Sequence, residues 1–160
     1  MRSLLLVSSL FAIAGCDALG ISSVGHGVVT RITVDRLDLE RRWDGDLFSR
    51  NPPDVYVDVK SESQSGYFSA SPVYRSLVTN DIEAGQLPLT VRPRDGDVRI
   101  ALDDPMWINV SDRDGTLDDL MVTSGPFRLG DVYGGEEAGE HKTVRFEGDA
   151  GAIRVTVRWD

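Results

Sequence analysis

Two segments of the sequence concentrate aspartates at spacings that suit a bound cation. They are Asp44, Asp46 and Asp54 in the first segment, and Asp112, Asp114, Asp118 and Asp119 in the second. Two like charges 4 Å apart repel by about 1 kcal/mol in water and by about 4 kcal/mol at an effective dielectric of 20. Several carboxylates on one loop tip therefore imply a cation, a raised pKa or wide separation. Calcium takes six to eight oxygen ligands, so we predict one or two calcium ions here.

The spacing Asp112-Arg113-Asp114 directs two carboxylates to the same side of an extended segment, and Gly115 permits the positive φ that lets the loop curl. It does not make an EF-hand, which needs a Glu at the twelfth position and flanking helices. Here the twelfth residue is Thr123, and the flanking patterns are those of strands. The alternative is a calcium-free domain whose aspartates serve only in turns, where Asp is common.

The elements that must position these loops have a period of two, which is typical of half-buried strands. Alternating apolar residues mark Val55 to Val59, Val98 to Leu102, Met106 to Val110 and Ile153 to Trp159, with shorter signals at Ile32, Val34, Leu77, Leu89 to Val91, Val144 and Phe146. Turn residues separate the runs, as in Asn51-Pro52-Pro53-Asp54 and Arg94-Asp95-Gly96-Asp97. No amphipathic helix of three turns is predicted. Seven or eight such strands indicate an all-β, antiparallel sandwich or barrel.

These strands and loops together resemble a C2 domain, the eight-stranded calcium-binding β-sandwich. Asp54 to Val59 matches the family's Asp-Pro-Tyr-Val strand start, with Val55 in place of Pro, and Trp43-Asp44 matches the first loop. Val110 to Asp114 and Asp119-Leu120-Met121 match the third loop. The resemblance implies a C2-like antiparallel sandwich over residues 28–160. It implies calcium ligands at Asp44, Asp54, Asp112, Asp114 and Asp119, with Asp46 and Asp118 as competing candidates.

The N-terminus has the pattern of a targeting signal. Arg2 precedes a ten-residue apolar run, which at 1.5 Å per residue reaches about 15 Å, half the thickness of a bilayer core. Ile13-Ala14-Gly15-Cys16 then resembles the lipobox of bacterial lipoproteins. The resemblance implies a cleaved signal peptide (1–15), then a lipidated Cys16 bearing acyl chains such as palmitate and a flexible tether (16–27). The alternative is an ordinary secretory signal with a chance cysteine.

Composition excludes several classes of function. The 160 residues carry a formal net charge of -9, which argues against binding nucleic acid and against docking on anionic lipid through charge alone. The single cysteine excludes an intramolecular disulfide and argues against a cysteine zinc site. Two distant histidines and paired acids without an evident cleft give no catalytic constellation, so we expect no enzyme.

The sequence therefore predicts a bacterial cell-envelope protein, anchored by lipid and facing the periplasm. Asp17, directly after the cysteine, fits retention at the inner membrane. Its domain would bind calcium and, through it, a phospholipid membrane or a protein partner. The competing interpretation is a calcium-independent structural or adhesion module of the envelope.

Overall fold

The computed structural model describes residues 24–40, 52–65, 71–114 and 118–160. Within these ranges the chain forms nine β-strands and two one-turn helices. The strands are β1 (His26–Leu37), β2 (Val55–Ser61), β3 (Tyr74–Arg75), β4 (Leu89–Val91), β5 (Arg99–Ala101), β6 (Met106–Asp112), β7 (Asp119–Thr123), β8 (His141–Gly148) and β9 (Gly151–Trp159). The helices are α1 (Glu62–Ser65) and α2 (Leu129–Val132), and Ala84–Gln86 forms a 3₁₀ turn. Neither helix has the length and apolarity needed to cross a bilayer.

The strands form two antiparallel sheets that pack face to face. One sheet has the order β4-β1-β9-β8, with β5 also paired to β1, and the other has the order β3-β2-β6-β7. β4 pairs with Ile32 to Val34 and β5 pairs with His26 to Val28, so both lie along one edge of β1. The nine strands thus fill eight strand positions, four in each sheet, and the predicted all-β sandwich is confirmed.

Alternating residues of the central strands build one core between the sheets. In β2, Val55, Val57 and Val59 are fully buried, and in β9 Ile153, Val155, Val157 and Trp159 are. They pack with β1 and β6 residues in one cluster of buried apolar side chains. Gly151 lets the sheets approach closely, because a Cβ there would lie 2.5 Å from the carbonyl oxygen of Arg36 and 2.6 Å from Val122.

Most predicted strands are present, and the differences lie at the edges. β7 carries no clean alternation, since Met121 and Val122 are both buried, and a register shift in its pairing with β6 explains this. Leu77 is not a core residue but is 92% exposed, just beyond the two-residue β3. β1 begins at His26, two residues before the predicted start of the domain at residue 28.

The sandwich has two distinct ends. The acidic end is where β2 begins and β6 ends, and it carries Asp54, Asp112, Asp114, Asp118 and Asp119. We call the opposite end, where Val24 to His26 lead into β1 and where α1 and α2 lie, the tether end, because the predicted tether would enter the domain there. The same two ends are found in both sheets. Gly27 of β1 lies against Leu129 of α2, and Gly151 of β9 lies against Val122 near the acidic end.

Candidate functional site: the acidic end

Asp112 ties the two strands of the acidic end together. It is the last residue of β6, directly opposite Val55, the first residue of β2, and it is only 2% exposed. Its Oδ1 accepts a 2.7 Å hydrogen bond from the backbone N–H of Asp54. In return the N–H of Arg113 donates to the carbonyl oxygen of Asp54 at 2.9 Å. The segment before β2 and the segment after β6, which are far apart in sequence, are therefore joined at this point.

Asp54 organises the next loop through its own carboxylate. Its Oδ1 accepts a 2.9 Å hydrogen bond from the N–H of Asp81. Asp81 has a φ of 53°, a left-handed conformation that Asp tolerates better than most residues. The hydrogen bond brings the segment after β3 against the start of β2.

Asp118 and Asp119 lie on opposite faces of their sheet. Asp119 is the cross-strand partner of Asp112, so the two side chains share a face. Asp118 instead accepts a 2.7 Å hydrogen bond from the hydroxyl of Tyr56. Tyr56 lies on the outer face of the β3-β2-β6-β7 sheet, the face turned away from the other sheet. Burial and then this hydrogen bond raise the pKa of Tyr56 to about 12, against an opposing effect from Ser111.

The outer face beside Tyr56 holds a second charged cluster that the sequence analysis missed. Asp58 is 4% exposed, and its Oδ2 forms an ion pair at 3.2 Å with Arg75, whose guanidinium lies 4.7 Å from the centre of the Tyr56 ring. Burial raises the pKa of Asp58, and Arg75 opposes this rise. Its Oδ1 is buried without a hydrogen-bond partner among the described residues. The sequence feature that could have revealed this cluster is Asp58 itself, an acidic residue between the apolar residues of a predicted strand.

A cleft of about 530 Å³ opens over this cluster. Its lining residues are Tyr56, Arg75, Ser76, Leu77, Val78, Arg113 and Asp118. Leu77 stands at one side of the outer face and Leu120, opposite Ser111 in β7, at the other. At 92% and 54% exposed, these are the exposed large hydrophobic residues of the part of the chain described. The outer face of the β3-β2-β6-β7 sheet, from the middle of β2 to the acidic end, therefore combines carboxylates, two guanidinium groups and two exposed leucines.

Some of the predicted ligands lie at the acidic end, and the others lie outside the residues that the structure describes. Asp54, Asp112, Asp114, Asp118 and Asp119 all lie at the acidic end. Asp44, Asp46 and the predicted lipidation site Cys16 lie outside the described residues. Over the ranges that the structure describes, no three His, Cys, Asp or Glu side chains are gathered closely enough to hold a metal ion.

A different arrangement of an acid occurs at the tether end. Asp104, 7% exposed, accepts hydrogen bonds from the hydroxyls of Ser61 and Ser63 and, at 3.0 Å, from the N–H of Ser63. Burial favours a higher pKa for Asp104, but these three hydrogen bonds outweigh it and lower the pKa. The cluster joins α1 to the turn before β6.

Comparisons with known proteins agree on the architecture. No protein-family model and no curated protein sequence matches this chain. Among solved structures it is similar to human GIVD cytosolic phospholipase A2 in complex with methyl gamma-linolenyl fluorophosphonate inhibitor and terbium chloride. That similarity has a TM-score of 0.54 at 15% identity and covers 86% of this chain. The chain spans only 17% of the length of that phospholipase chain.

Two isolated C2 domains are also similar. One is a C2 domain of plant extended synaptotagmin 1, with a TM-score of 0.48, 15% identity, and coverage of 86% of this chain and 95% of that one. The other is a C2 domain with a TM-score of 0.49, 14% identity, and coverage of 83% and 95%. At such identities the likeness concerns the fold alone. The chain has the fold of a C2-like antiparallel β-sandwich.

Proposed function

We propose that this chain is a lipid-anchored protein of the bacterial envelope whose acidic end binds one or two calcium ions. The acidic end with calcium bound would then bind a membrane or a protein partner. The observation that carries the proposal is that the three strand termini bearing Asp54, Asp112 and Asp119 are neighbours at one end of the same sheet. Like charges brought to one end are tolerated best when a cation neutralises them.

The chemistry of the described carboxylates suits calcium. Asp54 and Asp118 each accept a single hydrogen bond from described residues, so each keeps a second oxygen for a hard cation. The described set is incomplete by itself, and Asp44 or Asp46 would have to add ligands. Two described residues that flank their segment in the sequence are hydrogen-bonded at this end: the N–H of Asp38 donates to the carbonyl oxygen of Ala150 at 2.8 Å, and the N–H of Asp54 donates to Asp112.

The structure of the similar phospholipase is a complex that includes terbium chloride, and this chain matches only 17% of that protein's length. Terbium is a lanthanide ion that, like calcium, prefers oxygen ligands. A calcium site at the acidic end, with Asp112 and Asp119 on one face and Asp118 turned to Tyr56, is the arrangement we propose for this chain.

The second candidate is a calcium-independent structural or adhesion module. It is favoured by the hydrogen bond between Asp112 and Asp54, which uses a predicted ligand to join two strands. In that case the acidic end would be complete without an ion, and calcium would not change the stability of the domain.

Calcium-dependent thermal melting separates the two candidates. A ligand that binds only the native state stabilises it by about 2.7 kcal/mol at a hundredfold excess over Kd. We expect a calcium-selective rise in Tm that the double substitution Asp112→Asn and Asp114→Asn abolishes. The matched control, Asp103→Asn with Asp131→Asn, removes two exposed acids at the tether end and should keep the rise. An unchanged rise in the Asp112/Asp114 variant would rule out this site.

The anchor is tested separately at Cys16. Two or more acyl chains hold a protein stably on a membrane, so Cys16→Ser should move the protein into the soluble fraction after cell lysis without detergent. Mass spectrometry of the wild-type N-terminus should find cleavage before Cys16 and an acylated cysteine. Retention of the variant in the membrane fraction would contradict the anchor.

A further inference from the structure

We propose that two copies of this chain pair through β8, edge to edge and antiparallel, so that the β4-β1-β9-β8 sheets of the two copies join into one continuous sheet. The contact lies at an edge of the sandwich, away from the predicted calcium ligands. It requires neither calcium nor a lipid anchor, so its failure and the failure of the proposed function are separate results.

β8 is the longest strand at an edge of the sandwich. It has eight residues, whereas β7 has five, β4 and β5 have three each, and β3 has two. In the part of the chain that the structure describes, β8 pairs with β9 and with no other strand. A long edge strand presents a row of N–H and C=O groups to which another strand can add. β8 is therefore the edge with the greatest capacity to accept a further strand.

One hydrogen bond fixes which backbone groups of β8 point away from β9. The N–H of Trp159 donates to the carbonyl oxygen of Glu140 at 2.9 Å. Because backbone groups alternate in direction along a strand, Lys142, Val144 and Phe146 continue this pairing, and the residues between them direct their N–H and C=O groups to the open edge. These residues are His141, Thr143, Arg145 and Glu147. All four are exposed, and their backbone groups form no other hydrogen bond with the described residues.

One twofold register pairs all four of these residues at once. When Val144 lies opposite Val144 of the second copy, Thr143 lies opposite Arg145 and His141 lies opposite Glu147. Each of the four resulting pairs exchanges two N–H···O=C hydrogen bonds. No like charges lie directly opposite each other, and Glu147 faces an imidazole rather than a second carboxylate, so the charges of the two edges are compatible.

Other twofold registers fit the open edge less well. A centre at Arg145 places two guanidinium groups directly opposite each other, which is destabilising. A centre at Thr143 or at Phe146 sets one end of each strand opposite loop residues that lie beyond the other strand, so fewer backbone groups pair. We therefore take Val144 as the centre of the contact.

The inward side of β8 also favours an added strand. Val144 and Phe146 point toward the core but are only half-buried, and the rings of Phe146 and Phe127 have centres 4.6 Å apart. A second β8 would cover part of this apolar surface at the open side of the sandwich. An inward-pointing charge can block edge pairing, but the ammonium of Lys142 is already bound by Glu136 at 2.6 Å.

Sedimentation velocity of the full-length protein in density-matched detergent tests the pairing, with calcium and with chelator. We expect a reversible monomer–dimer equilibrium in both. Thr143→Pro removes an N–H at the open edge, and therefore two hydrogen bonds of the dimer, while the pairing with β9 is kept. The Kd of the dimer should rise about tenfold or more. The control Thr143→Ala loses the same hydroxyl, which lies 3.0 Å from that of Thr156, but keeps the N–H and should keep the dimer.

A single cysteine at the proposed centre tests the register. In the full chain carrying Cys16→Ser, the new thiol is the only one. Val144→Cys brings the two Cα atoms to about 4.5 Å, which is within the range of a disulfide, so we expect a cross-linked dimer under mild oxidation. The matched control is Lys142→Cys, whose two copies lie about 13 Å apart along the strands and should not cross-link.

Thermal melting of each variant checks that the fold is kept. A wild-type protein that stays monomeric at the highest concentration, or a folded Val144→Cys variant that does not cross-link, would overturn the proposal. A dimer that a folded Thr143→Pro variant leaves intact would place the contact elsewhere and would also overturn it, as would equal cross-linking of Val144→Cys and Lys142→Cys. The calcium-induced rise in Tm, measured on the same samples, reports separately on the proposed function.

Discussion

Carboxylates at the two ends of the sandwich differ in how many hydrogen bonds they accept from the folded chain. At the tether end, Asp104 accepts three hydrogen bonds from Ser61 and Ser63, which lower its pKa. At the acidic end, Asp54 and Asp118 each accept one hydrogen bond from a described residue. A carboxylate that accepts several hydrogen bonds from nearby residues has a structural role, because the folded chain itself stabilises its negative charge. Several carboxylates with few donors, gathered at one end, are compensated best by a cation from outside.

Replacing Asp104 should give the largest change in stability. Asp104→Asn converts one accepting oxygen to a donor and leaves the Ser61 and Ser63 donors imperfectly matched, so the free energy of unfolding at pH 7 should fall by about 1–3 kcal/mol. Urea denaturation measures the change.

The pH dependence of this difference has a definite sign. The pKa of Asp104 in the folded state is lowered from its usual 3.8, so its contribution is present above that pH and is lost as pH falls through the folded-state pKa. The difference between wild type and Asp104→Asn should shrink in acid. A difference that stays constant down to the lowest pH at which the protein remains folded would show that the ionised form is not what Ser61 and Ser63 stabilise.

Tyr56 allows a smaller test at the other end, in alkali. Its pKa is raised from 10.0 to about 12 in the folded state, so the folded protein holds this proton more tightly than the unfolded chain. Stability should therefore decline as pH rises from 10 toward 12, and Tyr56→Phe should remove that part of the decline. Tyr133→Phe, which removes a hydroxyl near the tether end, is the control. Equal declines in wild type and Tyr56→Phe would show that folding does not raise the pKa of Tyr56.

Asp119 should show the smallest effect on stability in the absence of calcium. It is exposed, and its side chain makes no hydrogen bond that joins it to another described element, so Asp119→Asn should change the free energy of unfolding by no more than about 0.5 kcal/mol. In calcium the same variant should lose part of the rise in Tm. A large loss of stability without calcium would make Asp119 a structural acid like Asp104 and would erase the contrast between the two ends.

The fold was accessible from the sequence where one face of a strand is buried. The alternation in β2, β6 and β9 follows directly from the pleat, and the aspartates beside these strands had to meet once the strands paired. β3 and β7 were not accessible in this way, because β3 has two residues and β7 buries two successive residues at a register shift.

The sequence could place the aspartates at one end but could not assign their partners. Asp118 and Asp119 are neighbours with identical side chains, and only the register with β6 separates the one beside Tyr56 from the one beside Asp112. The Asp58–Arg75 pair depends on contacts across the edge of the sheet. The position of the tether relative to the acidic end follows from strand direction, which becomes informative only after the sheets are assembled.

Titration calorimetry of the full-length protein in detergent with calcium, and with magnesium as the control, tests the central claim most directly. The account predicts saturable binding of one or two calcium ions, with a Kd at or below the 10⁻⁴ to 10⁻³ M typical of extracellular calcium modules, and with no comparable signal from magnesium. Binding should be lost when Asp112 and Asp114 are both changed to Asn. No saturable calcium signal at several times that concentration would contradict the account and leave a C2-like sandwich that functions without the ion.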